Sequence, residues 1–110
     1  MKKTVKYNKL IRDKIPKIIL ETGWIPTVRV LKEKEFLGAI KKKVFEEAEE
    51  LIEAKDKKEV IDEIIDIQEL LEVLTSEVGL SRAGIKKLQT KKREKRGGFK
   101  KRLFLIKEEK

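Results

Sequence analysis

Between Phe45 and Asp66 runs the stretch FEEAEELIEAKDKKEVIDEIID, acid-rich on both sides of a short basic turn, in a chain that is otherwise strongly basic. Such a run can be a solvated helix face, a set of ion pairs, or a cradle for a divalent cation. The direction in which each carboxylate points separates these readings. A helix turns by about 100° per residue. On the first helix of the stretch, Phe36, Ile40, Val44, Ala48 and Leu51 form an apolar arc. Glu47 falls inside that arc, and Glu50 lies at its edge beside Ala54, whereas Glu46, Glu49 and Glu53 share the opposite face with Lys42. On the second helix the arc is Val60, Ile64, Ile67, Leu70, Leu71 and Leu74. Glu63 falls between Leu70 and Leu74, and Asp66 between Leu70 and Val73, while Asp62, Glu69 and Glu72 face water.

In an antiparallel hairpin turning at Lys55 to Lys58, Glu47 comes level with Asp66, and Glu50 with Glu63. Carboxylates on an apolar face are costly unless they are protonated or paired with a cation. Lys or Arg from elsewhere could pair with them. A divalent cation removes the mutual repulsion of a converging set directly. The chain has no Cys and no His. Disulfides, thiol chemistry, histidine bases and Cys/His zinc sites are therefore excluded. A metal held by oxygen alone points to Mg²⁺, with Mn²⁺ as the substitute.

The elements that must position these residues can be read along the chain. A first helix is expected through DKIPKIILET, with Pro16 in its first turn and Gly23 as its stop. Thr27 to Leu31, TVRVL, alternates and is β-branched, which predicts a strand. The long helix from Glu33 to Ala54 follows. Asp56 and Glu59 have the spacing of a capping box for the next helix, which runs to about Val78 before Gly79. Ser81 caps a fourth helix ending at Gly97 and Gly98. Arg102 to Ile106, RLFLI, predicts a second strand. The expected fold is mainly α, with a small two-stranded β ribbon. The apolar arcs are wider than one hairpin can cover, so two hairpins are expected to join as a four-helix-bundle-type homodimer or higher oligomer.

The chain has 110 residues, read as one domain over 1–110, with 29 Lys and Arg against 20 Asp and Glu and a net charge of +9. That charge favours an anionic partner. No apolar run spans a membrane and no signal peptide opens the chain, so a cytoplasmic location is expected. Neither a P-loop nor a GxGxxG motif is present.

Glu46 to Glu50, EEAEE, followed by Glu63 to Asp66, EIID, fits the pattern EExxE then ExxD. It resembles the signature of the all-α nucleoside triphosphate pyrophosphohydrolases, the MazG-like superfamily. A register starting at Glu49 and another at Glu59 fit the same patterns, and the facing of the side chains selects the first. YNKLIRDKIP, Tyr7 to Pro16, resembles the opening of a small house-cleaning branch of the superfamily. KREKRGGFKKRLFL, Lys92 to Leu105, resembles its close through KxxxRGGF. The resemblance implies Mg²⁺ bound by Glu47, Glu50, Glu63 and Asp66. It also implies hydrolysis of nucleoside triphosphates between the α and β phosphates to a monophosphate and pyrophosphate. The cation would stabilise developing charge and activate water. Glu47 and Glu50 are the candidates for accepting the water's proton.

Phosphates also need basic partners. Lys9, Arg12 and Lys14 lie in the opening motif, and Lys92 and Arg96 share one face of the fourth helix. Lys9, Arg12, Lys92 and Arg96 are the candidate phosphate ligands, set against ordinary solvated charge. Trp24 reads as core or interface in preference to a base-stacking residue. The nearest enzymatic rival is phosphoribosyl-ATP pyrophosphohydrolase, which breaks the same bond. A basic nucleic-acid-binding module using KKLQTKKREKRGGFKKR is a rival of another class, as is a non-catalytic helical protein with salt-bridged acids. Buried Glu47 and Glu63 serve no purpose in a nucleic-acid module.

Overall fold

A computed structural model describes residues 3–110, which form four helices: α1 (Ile15–Glu21), α2 (Glu33–Glu53), α3 (Lys57–Glu77) and α4 (Arg82–Arg96). Their boundaries follow from local chemistry. Pro16 sits in the first turn of α1, where its missing N–H costs nothing. Glu33 and Glu35 occupy the first turn of α2, favourable against the positive end of the helix dipole. Asp56 caps α3, its Oδ1 accepting from the Glu59 N–H at 2.8 Å. Glu59 reaches back, its Oε2 accepting from the Lys55 N–H at 2.9 Å. The reciprocal pair fixes where α3 starts, and so which residues of α3 lie level with which of α2. Ser81 caps α4 in the same manner, accepting from the Gly84 N–H at 2.9 Å. Gly79 and Gly97 both take φ of +83°, the left-handed turn that ends α3 and α4.

The hairpin of α2 on α3 is the main packing unit, α4 touches α3, and α1 has no close helix neighbour. Ile40 of α2 is fully buried, the only such hydrophobic side chain among the described residues. Around it Phe36, Val44, Ala48, Leu51, Ile67, Leu70 and Leu74 are half-buried along the facing arcs. Ile64 and Leu71 stay substantially exposed, because the arc on α3 is wider than α2 can shield. Glu46 is half-buried where a fully solvated position was expected, its carboxylate lying 3.8 Å from Lys43 Nζ.

No strand occurs among the described residues, so the expected β ribbon is absent. Thr27 to Leu31 and Arg102 to Ile106 run without regular structure, with Val30 96% and Leu103 86% exposed. An alternating pattern makes a strand only when the backbone finds a partner, and a lone two-stranded ribbon is marginal in water. Here each segment is diverted. Arg29 is drawn to Glu35 of α2 by two hydrogen bonds of 2.8 and 3.3 Å, and Arg102 takes a φ of +58°.

The chain is elongated, with extents of 68 × 35 × 28 Å and a radius of gyration of 18.8 Å. A compact chain of this length would measure about 13 Å. No helix among the described residues is long and apolar enough to cross a membrane.

Candidate metal centre

Glu47 and Glu50 of α2 and Glu63 of α3 converge near the turn of the hairpin. Glu47 projects from the apolar arc of α2 and is only 8% exposed. Glu50, one turn later and at the arc's edge, is exposed, and Glu63 on α3 is half-buried. One carboxylate oxygen from each of these three residues lies within 4.8 Å of the others. Ligand oxygens on opposite sides of a cation at about 2.1 Å stand about 4.2 Å apart. The spacing is thus close to that of a shared ion. Glu47 Oε2 and Glu63 Oε2 are both buried without a hydrogen-bond partner. Buried polar atoms of this kind are rare and costly, and two facing inward in one acidic cluster are what an oxygen-coordinated cation would satisfy.

The electrostatics agree with the geometry. Burial raises the Glu47 carboxyl above its ordinary value, with the neighbouring Glu63 and, more weakly, Asp66 adding to the effect. Glu50 is raised too, by burial of its carboxyl and then by Glu47, while Glu63 and, more weakly, Lys43 oppose the shift. At both positions the surroundings disfavour the charged form relative to a free carboxyl.

Asp66 is outside the trio. Its Oδ1 accepts a 2.7 Å hydrogen bond from Arg12 Nη2, so a candidate ligand and a candidate phosphate contact are paired with each other. The Lys9 ammonium lies 5.1 Å from the centre of the Tyr7 ring. Lys14 is exposed, and so are Lys92 and Arg96 on α4, where neither makes an ion pair with the hairpin carboxylates. The structure therefore does not bring these basic residues to the acidic cluster. Trp24 is about half exposed and belongs to no core.

Lys43 is the residue that sequence reading missed. Its ammonium stands 3.8 Å from Glu47 Oε1, and its side chain is mostly buried. The signal was available: Lys43 precedes Glu47 by four residues, the spacing that stacks side chains on one helix face. Glu53, Glu59 and Asp62 also matter more than a solvated face implies. With Glu50, Ala54 and Glu63 they line an open recess of ≈ 330 Å³ beside the trio. A recess walled by carboxylates attracts cations and repels a bare polyphosphate.

The family model for phosphoribosyl-ATP pyrophosphohydrolase matches residues 7–92, well over half of the chain. The chain belongs to this family. The phosphoribosyl-ATP pyrophosphohydrolase family is part of the MazG-like all-α superfamily, and its members are metal-dependent hydrolases of acid anhydrides. The matched residues include Glu47, Glu50, Glu63 and Asp66, together with Lys9, Arg12, Lys43 and Lys92. Arg96 and the RGGF stretch lie beyond them. No curated protein and no solved structure matches the chain.

The raised Glu47 carboxyl makes a sign-specific prediction. A group whose folded value is raised costs stability when ionised, and the cost vanishes below its unfolded value. In a chelator at neutral pH, Glu47→Gln is therefore expected to stabilise the fold. The gain should shrink as the pH falls through the raised Glu47 value toward the ordinary carboxyl value of 4.5. Denaturant unfolding of both proteins over that range measures it, and a variant less stable than the parent at neutral pH would contradict the assignment.

Proposed function

We propose that this protein is a Mg²⁺-dependent pyrophosphohydrolase that hydrolyses a nucleoside triphosphate-type substrate between its α and β phosphates. The observation that supports this most is the pair of unpartnered buried oxygens, Glu47 Oε2 and Glu63 Oε2, inside a three-carboxylate cluster. Glu47, Glu50 and Glu63 would hold the cation, with Asp66 one turn of α3 beyond Glu63 as a fourth ligand. When bound, the cation neutralises phosphate oxygens and lowers the pKa of a coordinated water.

The chain's own residues supply the rest. Glu47, embedded in the apolar arc, fixes the site's depth and limits water on that side. Glu50, exposed at the recess, or Glu47 would accept the proton of the attacking water. Lys43 offsets part of the carboxylate charge from within α2. Lys9, Lys92 and Arg96, which make no ion pair with the cluster, would have to reach the phosphates from outside it, and Arg suits bidentate contact with them. Water adds to one phosphorus, the bridging oxygen leaves with the other, and a monophosphate and pyrophosphate result.

Phosphoribosyl-ATP is the substrate that the matched family's description supports. A free, noncanonical nucleoside triphosphate is a second reading. It is supported by KxxxRGGF at Lys92 to Phe99, which continues past the matched residues and resembles the house-cleaning branch. Substrate choice rests on the shape of the pocket around the base.

The enzyme is further proposed to act as a homodimer or higher homo-oligomer. Ile40 alone is fully buried, while Ile64, Leu71, Ile85 and Leu88 remain substantially exposed on α3 and α4. A second hairpin would cover such faces as in a four-helix bundle.

With Mg²⁺ or Mn²⁺, purified protein should release pyrophosphate from phosphoribosyl-ATP or from a panel of nucleoside triphosphates, and a chelator should stop it. The preferred class is the one with the higher kcat/KM. Release of orthophosphate alone, or turnover unaffected by chelation, would contradict the proposal. Light scattering at micromolar concentration should give at least twice the 12.9 kDa chain mass. A monodisperse monomer would refute the assembly.

A further inference from the structure

The hydrogen bond from Arg12 Nη2 to Asp66 Oδ1 joins residues 54 apart in sequence at 2.7 Å. Both side chains are partly exposed, 55% and 38%, and an ion pair in such a setting contributes little to stability. Its position is more informative than its strength. The backbone from Thr4 to Arg12 has no regular structure, and α1 has no close helix neighbour. Within this opening segment Leu10 and Ile11 are half-buried while Lys9, Arg12 and Asp13 are exposed. The apolar pair seats the segment, and Arg12 then reaches α3. The acceptor it finds is Asp66, one helical turn from Glu63, and close enough for its charge to act on Glu47.

A carboxylate has two oxygens. Arg12 takes Oδ1, and Oδ2 has no hydrogen-bond partner among the described residues. A carboxylate pinned through one oxygen presents the other in a restricted set of directions. Carboxylates that bind metals are characteristically hydrogen-bonded in this way by residues behind them.

We infer that Arg12 is a positioning residue of the metal centre: it orients Asp66 so that Oδ2 can join Glu47, Glu50 and Glu63 on the cation, tying the opening segment to metal occupancy. This inference rests on the metal site proposed above. It gives Arg12 a role through Asp66 in place of direct contact with a phosphate. The two roles differ in what substrate is needed to see them. Orientation of Asp66 acts on the cation with no nucleotide present, and phosphate contact cannot.

Binding of Mn²⁺ to the metal-free full-length protein, followed by the electron paramagnetic resonance of free Mn²⁺ without nucleotide, tests this. Arg12→Gln should weaken Mn²⁺ binding by about 10- to 100-fold, the cost of losing a hydrogen-bond partner behind a ligand. Arg12→Lys, which keeps the charge and one donor, should recover part of the loss. Arg12→Gln added to Asp66→Asn should weaken binding no further than Asp66→Asn alone. Because the pair is exposed, circular dichroism and the unfolding midpoint of Arg12→Gln should stay close to the parent's. Unchanged or tighter Mn²⁺ binding in Arg12→Gln, or a full additional loss in the double variant, would overturn the inference while leaving the metal site standing. If the parent itself binds no Mn²⁺, the metal site falls and this inference with it.

Discussion

An ionised Glu47 is costly at its depth in the hairpin unless positive charge stands beside it, and most of the arrangement follows from that constraint. Its own chain offers Lys43, at 3.8 Å from one oxygen, while the other oxygen has no partner. Glu63 and Glu50 come in at the same level and add to the negative charge. A hairpin optimised for stability alone would place Leu or Ile at these positions, as it does one turn away at Leu51 and Ile67. The carboxylates stand there at an energetic cost that a divalent cation would relieve.

The register of α2 against α3 is what makes three carboxylates converge, and the turn between them holds it. Asp56 and Glu59 satisfy each other's end of the helix entrance. Ile40 anchors the far side of Glu47 along α2. A shift of one residue in α3 would rotate Glu63 by about 100° and carry it off the shared face. The short capped turn and the acidic pair are thus one piece of machinery: the first sets the level, the second uses it.

The hairpin and its inward acids were legible because helical periodicity is a local property. Glu47 and Glu63 stand in apolar arcs that can be counted from the sequence, and Asp56, Ser81, Gly79 and Gly97 mark the ends with residue types suited to caps and turns. The β ribbon was misread because a strand depends on a partner that no local pattern guarantees. TVRVL and RLFLI alternate as strands do, yet neither meets the other. Lys43 was passed over because it stands in a run of lysines, where only its distance of four from Glu47 distinguishes it. The pairing of Arg12 with Asp66 spans 54 residues and could not be read from spacing at all. It depends on where Leu10 and Ile11 seat the opening segment.

Crystals grown with Mn²⁺ and measured for anomalous scattering decide whether Glu47, Glu50 and Glu63 together hold a divalent cation. A strong anomalous peak is expected between the three carboxylates, with Glu47 Oε2 and Glu63 Oε2 among its ligands and Asp66 turned toward it. A well-ordered hairpin with no peak there, or a peak on the outer face at Glu49 or Glu69, would contradict it.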